Sequence, residues 1–380
     1  MDRQAQGFGP ITPGDQPDRA AAGEGGAGRL VQRHGVKLGA SLLLGGALAW
    51  VLWRGGLPLV PPANAFAALK PWTVVVYIAS LAVVHLLRAV RWRHLLRPVG
   101  GAPLRSVIAV SWIAFGAILL SPFRSGEIVR PYLITRRSRV RFWEAAGTVG
   151  AERVIDGLVL SVVLFTSLQL AAPLSPLPDH VGSLPVPAAA VPKAAYVALA
   201  VFMIAFALMG VFFFARDFAR RATFTIIGLV SRDLASRFAA IVERVADGLR
   251  FLPSARRTLP FLVETLGYWA ANAFGVQLLA WGAGLTTMTL AQSAVTIGCV
   301  GVGILVPAGP GYFGAFQLST YMALAMYFPE ATLVGPGAAF VFLLYVTQVG
   351  FHVVAMAAGL LMDRAATAMS APAADAPAQA

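Results

Sequence analysis

Arg124, Glu127 and Arg130 are spaced three apart, and Glu152, Arg153 and Asp156 follow in the next apolar run. On a helix, residues three and four apart share a face. The first trio then presents two guanidinium groups around one carboxylate. The second sets two carboxylates one turn apart, which repel unless a cation or a proton lies between them. Charges of this kind inside an apolar run are costly and mark a candidate site, with arginine forks suited to anion recognition. The competing reading is structural: an Arg–Glu clamp across a turn in the first case, and a polar network in the second, with Arg153 or the first trio's arginines as counter-ions.

A third stretch has different chemistry. From Pro307 to Gln317 the chain reads Pro-Ala-Gly-Pro-Gly-Tyr-Phe-Gly-Ala-Phe-Gln. No helix continues through that density of proline and glycine. Its backbone amides and carbonyls are left to meet a polar group or water, which makes Pro310, Gly311, Tyr312, Gly314 and Gln317 candidate binding residues. Gly298, Gly301 and Gly303 just upstream read as points of close helix approach. Covalent chemistry is not expected. No GxSxG, HExxH or P-loop pattern occurs, and His34, His85, His94, His180 and His352 lack metal-ligand spacing. His85 and His352 read as satisfied core histidines. No catalytic residue, metal or cofactor is predicted.

The elements that must position these residues follow from composition. Of 380 residues, 58% are hydrophobic and 12% charged, with a mean hydropathy of +0.72. A soluble globule cannot cover itself with so little charge, so the bilayer is the solvent. A cytosolic enzyme, a disulfide scaffold and a nucleic-acid-binding domain are excluded; a lone cysteine, Cys299, cannot form an internal disulfide. Full-length apolar runs lie at 36–53, 72–90, 144–171, 194–214, 259–281 and 337–361, while 104–138 and 285–330 are each broken midway by Pro, Gly and polar residues. The expected fold is all-α: six full spans plus two re-entrant hairpins. Residues 1–34 and 363–380 read as disordered cytoplasmic tails, and 35–362 as one transmembrane domain.

The net charge of +13 is topological in such a chain, because basic residues accumulate on the cytoplasmic side. Arginines crowd 88–105, 124–141 and 216–257, whereas 258–363 contains neither lysine nor arginine. Both termini and the first hairpin therefore go inside, and the second hairpin opens outside. Span, hairpin, span is thus repeated with inverted topology, a pattern that points to a transport site near the midplane. Arg88, Arg91 and Trp92 are expected to snorkel into the headgroup interface at the end of the second span. The 231–252 stretch reads as an amphipathic helix that either lies in the headgroup layer or docks on the bundle.

Arg91-Trp92 with Leu95-Leu96, Pro122-x-Arg124-x-Gly126-Glu127-x-x-Arg130, Glu152-Arg153-x-x-Asp156 and Pro310-Gly311-x-x-Gly314, taken in order, resemble the membrane domain of lysylphosphatidylglycerol synthases and the wider flippase-like membrane family. The resemblance covers roughly residues 35–362. It implies a bacterial inner-membrane protein that moves a lipid or lipid-linked molecule between leaflets, with Arg124, Arg130 and Arg153 drawing in a headgroup and Glu127, Glu152 and Asp156 orienting them. An aminoacyl-transfer domain would follow the last span, where residues 365–380 leave no room, so aminoacyl-lipid synthesis is not expected. Where the family's second hairpin commonly carries Glu, Gln317 stands here, and a neutral amide cannot serve as counter-ion or proton carrier. A non-transporting scaffold that recruits an envelope-biosynthesis enzyme is the alternative. Nucleic acid is not an expected partner.

Overall fold

The computed structural model describes residues 21–121, 126–180, 183–184, 188–251, 253–305 and 308–370, with backbone alone for 21–34, 37 and 365–370. Every regular element of length is helical. In chain order the helices are α1 (Ala21–Arg54), α2 (Pro71–Leu96), α3 (Leu104–Leu120), α4 (Val129–Thr135), α5 (Phe142–Leu170), α6 (Ala190–Phe214), α7 (Arg216–Ile226), α8 (Arg232–Asp247), α9 (Ala255–Gly282), α10 (Leu290–Gly303), α11 (Ala315–Ala325), α12 (Glu330–Val334) and α13 (Pro336–Ser370).

Helices stand at all six predicted spans, but among the described residues four segments are long and apolar enough to cross a bilayer by themselves: Pro71–Val99, Phe142–Leu170, Ala190–Phe214 and Pro336–Arg364. The apolar part of α1 is the shorter Leu38–Arg54. α9 is 28 residues long, yet Tyr268, Trp269, Asn272 and Gln277 dilute its apolar character. Both interrupted regions form helix, break and helix. α3 is followed by the short α4, which packs back on α3 and α5; α10 is followed by α11, which packs back on α10. Within the two predicted tails, α1 is helical from Ala21 and α13 continues to Ser370. The remaining parts of those tails, 1–20 and 371–380, lie outside the described residues.

The long helices pair as α2 with α9, α3 with α13, and α5 with α6 and α10. They bury two apolar clusters at different heights. One gathers Tyr77 and Leu81 of α2, Leu164 of α5, and Val276 and Leu279 of α9. The other gathers Trp92 and Leu95 of α2, Val149 and Ile155 of α5, and Phe261 of α9. Between the two levels the same helices carry their polar residues: His85, Arg88 and Arg91 on α2, Glu152 and Asp156 on α5, Thr265 and Tyr268 on α9. A polar layer thus crosses the bundle where its two apolar cores meet.

The amphipathic segment docks. α8 is capped by the Ser231 side chain, which accepts from the Leu234 amide at 3.2 Å, and packs on α5 and α6. It docks partly through small residues, since Ala235, Ala239 and Ala246 are buried while Leu234 and Ile241 of the predicted apolar stripe remain exposed.

Candidate functional site

Arg91 is the hub of the polar layer, and it is fully buried. Its Nη1 and Nη2 donate in parallel to Asp156 Oδ1 and Oδ2, both at 2.6 Å. Nη2 also donates to Glu152 Oε1 at 2.9 Å and Nη1 to Thr265 Oγ1 at 3.2 Å. Glu152, equally buried, accepts on its second oxygen from Arg130 Nη1 at 2.9 Å. Tyr268 donates to Asp156 Oδ1 at 2.9 Å. Arg130 lies with its guanidinium 4.0 Å from the Trp92 ring centroid, and the Trp92 indole N–H donates to Thr148 Oγ1 at 3.0 Å. Two cations between two carboxylates, held by forked and stacked contacts, place ionised groups in a low-dielectric interior, while Arg91 Nε and Arg130 Nε and Nη2 are buried without a partner among the described residues.

Arg91 and Trp92 therefore do not reach a headgroup interface. The expectation fails because α5 and α9 cover that side of α2 and supply counter-charge, so snorkelling is unnecessary. Arg130 is buried as well; it stacks on Trp92 and donates Nη1 to Glu152, while its Nε and Nη2 have no partner among the described residues. Glu127 and Arg130 do not act together either. Arg130 turns to Glu152, and Glu127 instead meets Arg153, whose Nε lies 3.3 Å from Glu127 Oε2. Arg153 also stands 3.8 Å from Asp156 Oδ2, tying that pair to the network. Arg124, with Pro122, lies outside the described residues.

The two breaks meet. A cavity of about 130 Å³ is lined by Glu127 of the first break and by Gly311 and Tyr312 of the second, with Arg88, Arg153 and His352 among the other lining residues. That space holds several waters or one compact polar group. Close approach shapes both breaks. A Cβ on Gly126 would lie 2.4 Å from the Ala117 carbonyl oxygen, so the chain lies directly on the end of α3. Gly314 has φ +88° and its added Cβ would strike Leu48 Cβ at 2.4 Å, a conformation and a clearance that only glycine offers. The break's free carbonyl at Ala308 is met by Ser41 Oγ of α1 at 2.8 Å.

Arg88 is the unbalanced charge here. Arg153 is matched by Glu127, whereas Arg88 makes no hydrogen bond or ion pair among the described residues, and its guanidinium rests 4.5 Å from the Phe115 ring centroid. Pro310 opens the short turn at 310–312, and Gln317 turns out to be a capping residue. Its Oε1 accepts from the Gly314 amide at 2.8 Å, closing the start of α11. Either an amide or a carboxylate can do this, so glutamine in place of glutamate keeps the turn. Gln317→Ala is expected to leave a buried N–H unpaired at a cost of about 1–3 kcal/mol, and Gln317→Glu to restore most of it. Thermal unfolding in detergent measures both.

Residues 38–362 match the lysylphosphatidylglycerol synthase TM region. The chain belongs to that family. It is a multi-pass membrane protein, and the match spans both breaks, the polar layer and the cavity of this lysylphosphatidylglycerol synthase TM-region domain. A glycosyltransferase of Haloferax volcanii, AglD, is 27% identical over 291 residues, which is 71% of this chain and 46% of that protein. The chain thus matches less than half of that relative's length. No solved structure matches it.

Thr265, Tyr268, Thr148 and Tyr345 escaped the sequence reading, as did the cavity role of Arg88 and His352. Thr265 and Tyr268 had a faint signal: polar residues three apart on one face of an apolar helix. Nothing local marked Tyr345 or His352, because their neighbours come from distant elements.

Proposed function

We propose that this protein transfers a lipid or lipid-linked molecule between the leaflets of a bacterial inner membrane, holding the anionic headgroup in the cavity where the two breaks meet. One observation carries the reading: both interruptions of the helical bundle line one cavity, and its wall holds a cation, Arg88, that pairs with no carboxylate among the described residues. Irregular backbone at membrane depth is tolerated where it lines such a space, and an arginine fork suits a phosphate. The site is read as Arg88, Arg153, Glu127 and Tyr312, with Arg91, Arg130, Glu152 and Asp156 as the rigid layer behind it. No covalent step is assigned to the chain. In the arrangement we propose, six crossings and two re-entrant hairpins form an inverted repeat with both termini in the cytoplasm, in keeping with the arginines of 124–141 and their absence from 258–363.

The test is leaflet transfer in liposomes holding the purified protein, followed by quenching of headgroup-labelled anionic, zwitterionic and glycosylated lipids; the relative's name puts the last on the panel. At least one is expected to move faster than in empty liposomes. Arg88→Gln should slow it roughly 10–100-fold, the worth of one charged hydrogen bond. Single cysteines at Arg137 and Glu330 in a Cys299→Ser background should label from opposite sides. Rates equal to those of empty liposomes across the panel would favour the scaffold reading, and same-side labelling would remove the inverted repeat.

A further inference from the structure

His352 of α13 lines the cavity, and its ring lies against His85 of α2, centroids 4.5 Å apart and planes at 80°. Both imidazoles are held the same way. Nδ1 of His352 is 2.8 Å from the Gln348 carbonyl oxygen and Nδ1 of His85 is 2.9 Å from that of Leu81, each one turn back on its own helix. Assigned from those bonds, each ring carries its proton on Nδ1 and keeps a lone pair on Nε2. His85 Nε2 is buried with no partner among the described residues. Sequence pattern suggested two satisfied core histidines; the fold instead sets them edge to face, with His352 on the cavity wall and His85 behind it holding the unpartnered Nε2.

The charges around the pair give those acceptors a use. Facing the cavity are Arg88 from α2, Arg153 from α5, Glu127 from the first break, Tyr312 from the second and Tyr345 from α13. α3, α10 and α11 contribute only apolar linings, and no residue of α9 or α12 lines it. Glu127 lies 3.3 Å from Arg153. The wall beside His352 carries the Arg88 cation, which has no ion-pair partner among the described residues. An anion on Arg88 reverses the local sign.

We infer that the His352–His85 pair is a proton site linked to the cavity's occupancy, so that a phosphate-bearing anion and a proton bind together. The inference rests on reading the cavity as an anion site, and it adds a coupling ion. Linkage is reciprocal: the anion draws in the proton, and acid tightens the anion.

Calorimetric titration of the full-length protein in detergent with dihexanoyl phosphatidylglycerol, a phosphodiester whose charge is constant between about pH 5 and pH 8, tests this. Runs in buffers of different ionisation enthalpy count the protons. A fractional proton uptake, up to one per anion, is expected, with affinity rising as pH falls, by at most about tenfold per unit. His352→Gln should abolish the uptake and flatten the pH dependence, and His85→Gln should weaken both. If a variant does not fold, the wild-type proton count still decides. Saturable binding without proton uptake, or uptake that persists in folded His352→Gln, overturns the proton site and leaves the headgroup site standing. Absence of binding at every pH removes the anion site itself.

Discussion

Glu152→Ala is expected to prevent stable assembly. The carboxylate is fully buried and accepts from both Arg91 and Arg130, so its loss leaves Arg130 buried with no carboxylate among the described residues and takes from Arg91 one of its two. Breaking a buried pair from one side typically costs about 3–5 kcal/mol, a large share of a domain's stability of about 5–15 kcal/mol. Glu152→Gln keeps the shape and one acceptor and should fall between. Combining Glu152→Leu with Arg130→Met removes carboxylate and cation together and should recover much of the loss, since apolar replacement of a whole buried pair is often tolerated. Yield of monodisperse protein in detergent and its unfolding midpoint measure the series. If Glu152→Ala behaves as wild type, the network does not hold the bundle together.

Arg91→Met should be comparably damaging, for the opposite reason. It leaves Asp156 and Glu152 one turn apart without the fork that neutralises both. Tyr268 and the more distant Arg153 cannot replace two parallel bonds of 2.6 Å. A loss of about 3 kcal/mol or more is expected. Arg91→Lys should rescue little, because an ammonium cannot engage the Asp156 carboxylate edge-on while also reaching Glu152 and Thr265. Adding Asp156→Asn to Arg91→Met removes the second stranded carboxylate and should recover part of the stability. Failure of that addition to help, measured by the same unfolding midpoint, would show that Arg91 acts through packing and not through charge.

These two expectations separate the layer that holds the bundle from the residues that meet the cavity. Arg91, Arg130 and Glu152 are sealed, so their variants act through folding. Arg88, Glu127 and Arg153 face space, so theirs should act on transfer. Arg153 bridges the two sets through Glu127 and Asp156. A headgroup that competes for Arg153 would therefore pull directly on the layer behind it.

By itself the sequence determined the solvent, the class of fold and the places where helices must stop. Hydrophobic runs near bilayer length, proline and glycine at 307–314, and acids one turn apart on α5 are local properties, readable because a helix's period and breakers are set by neighbouring residues. The tertiary structure alone decided which charges are partners. Arg91 looks like a snorkelling residue on its own helix and becomes a hub because α5 and α9 bring Asp156, Glu152 and Thr265 from 61 to 174 residues away. Arg130 and Glu127 share a sequence motif and part company because α5 offers each a different partner, Glu152 to the arginine and Arg153 to the carboxylate. His352 and Arg88 carry no sign of each other in the chain, yet they line one cavity. Coulomb energy depends on distance and local dielectric, both set by packing, so charge spacing along a chain names the candidates and the fold assigns their partners.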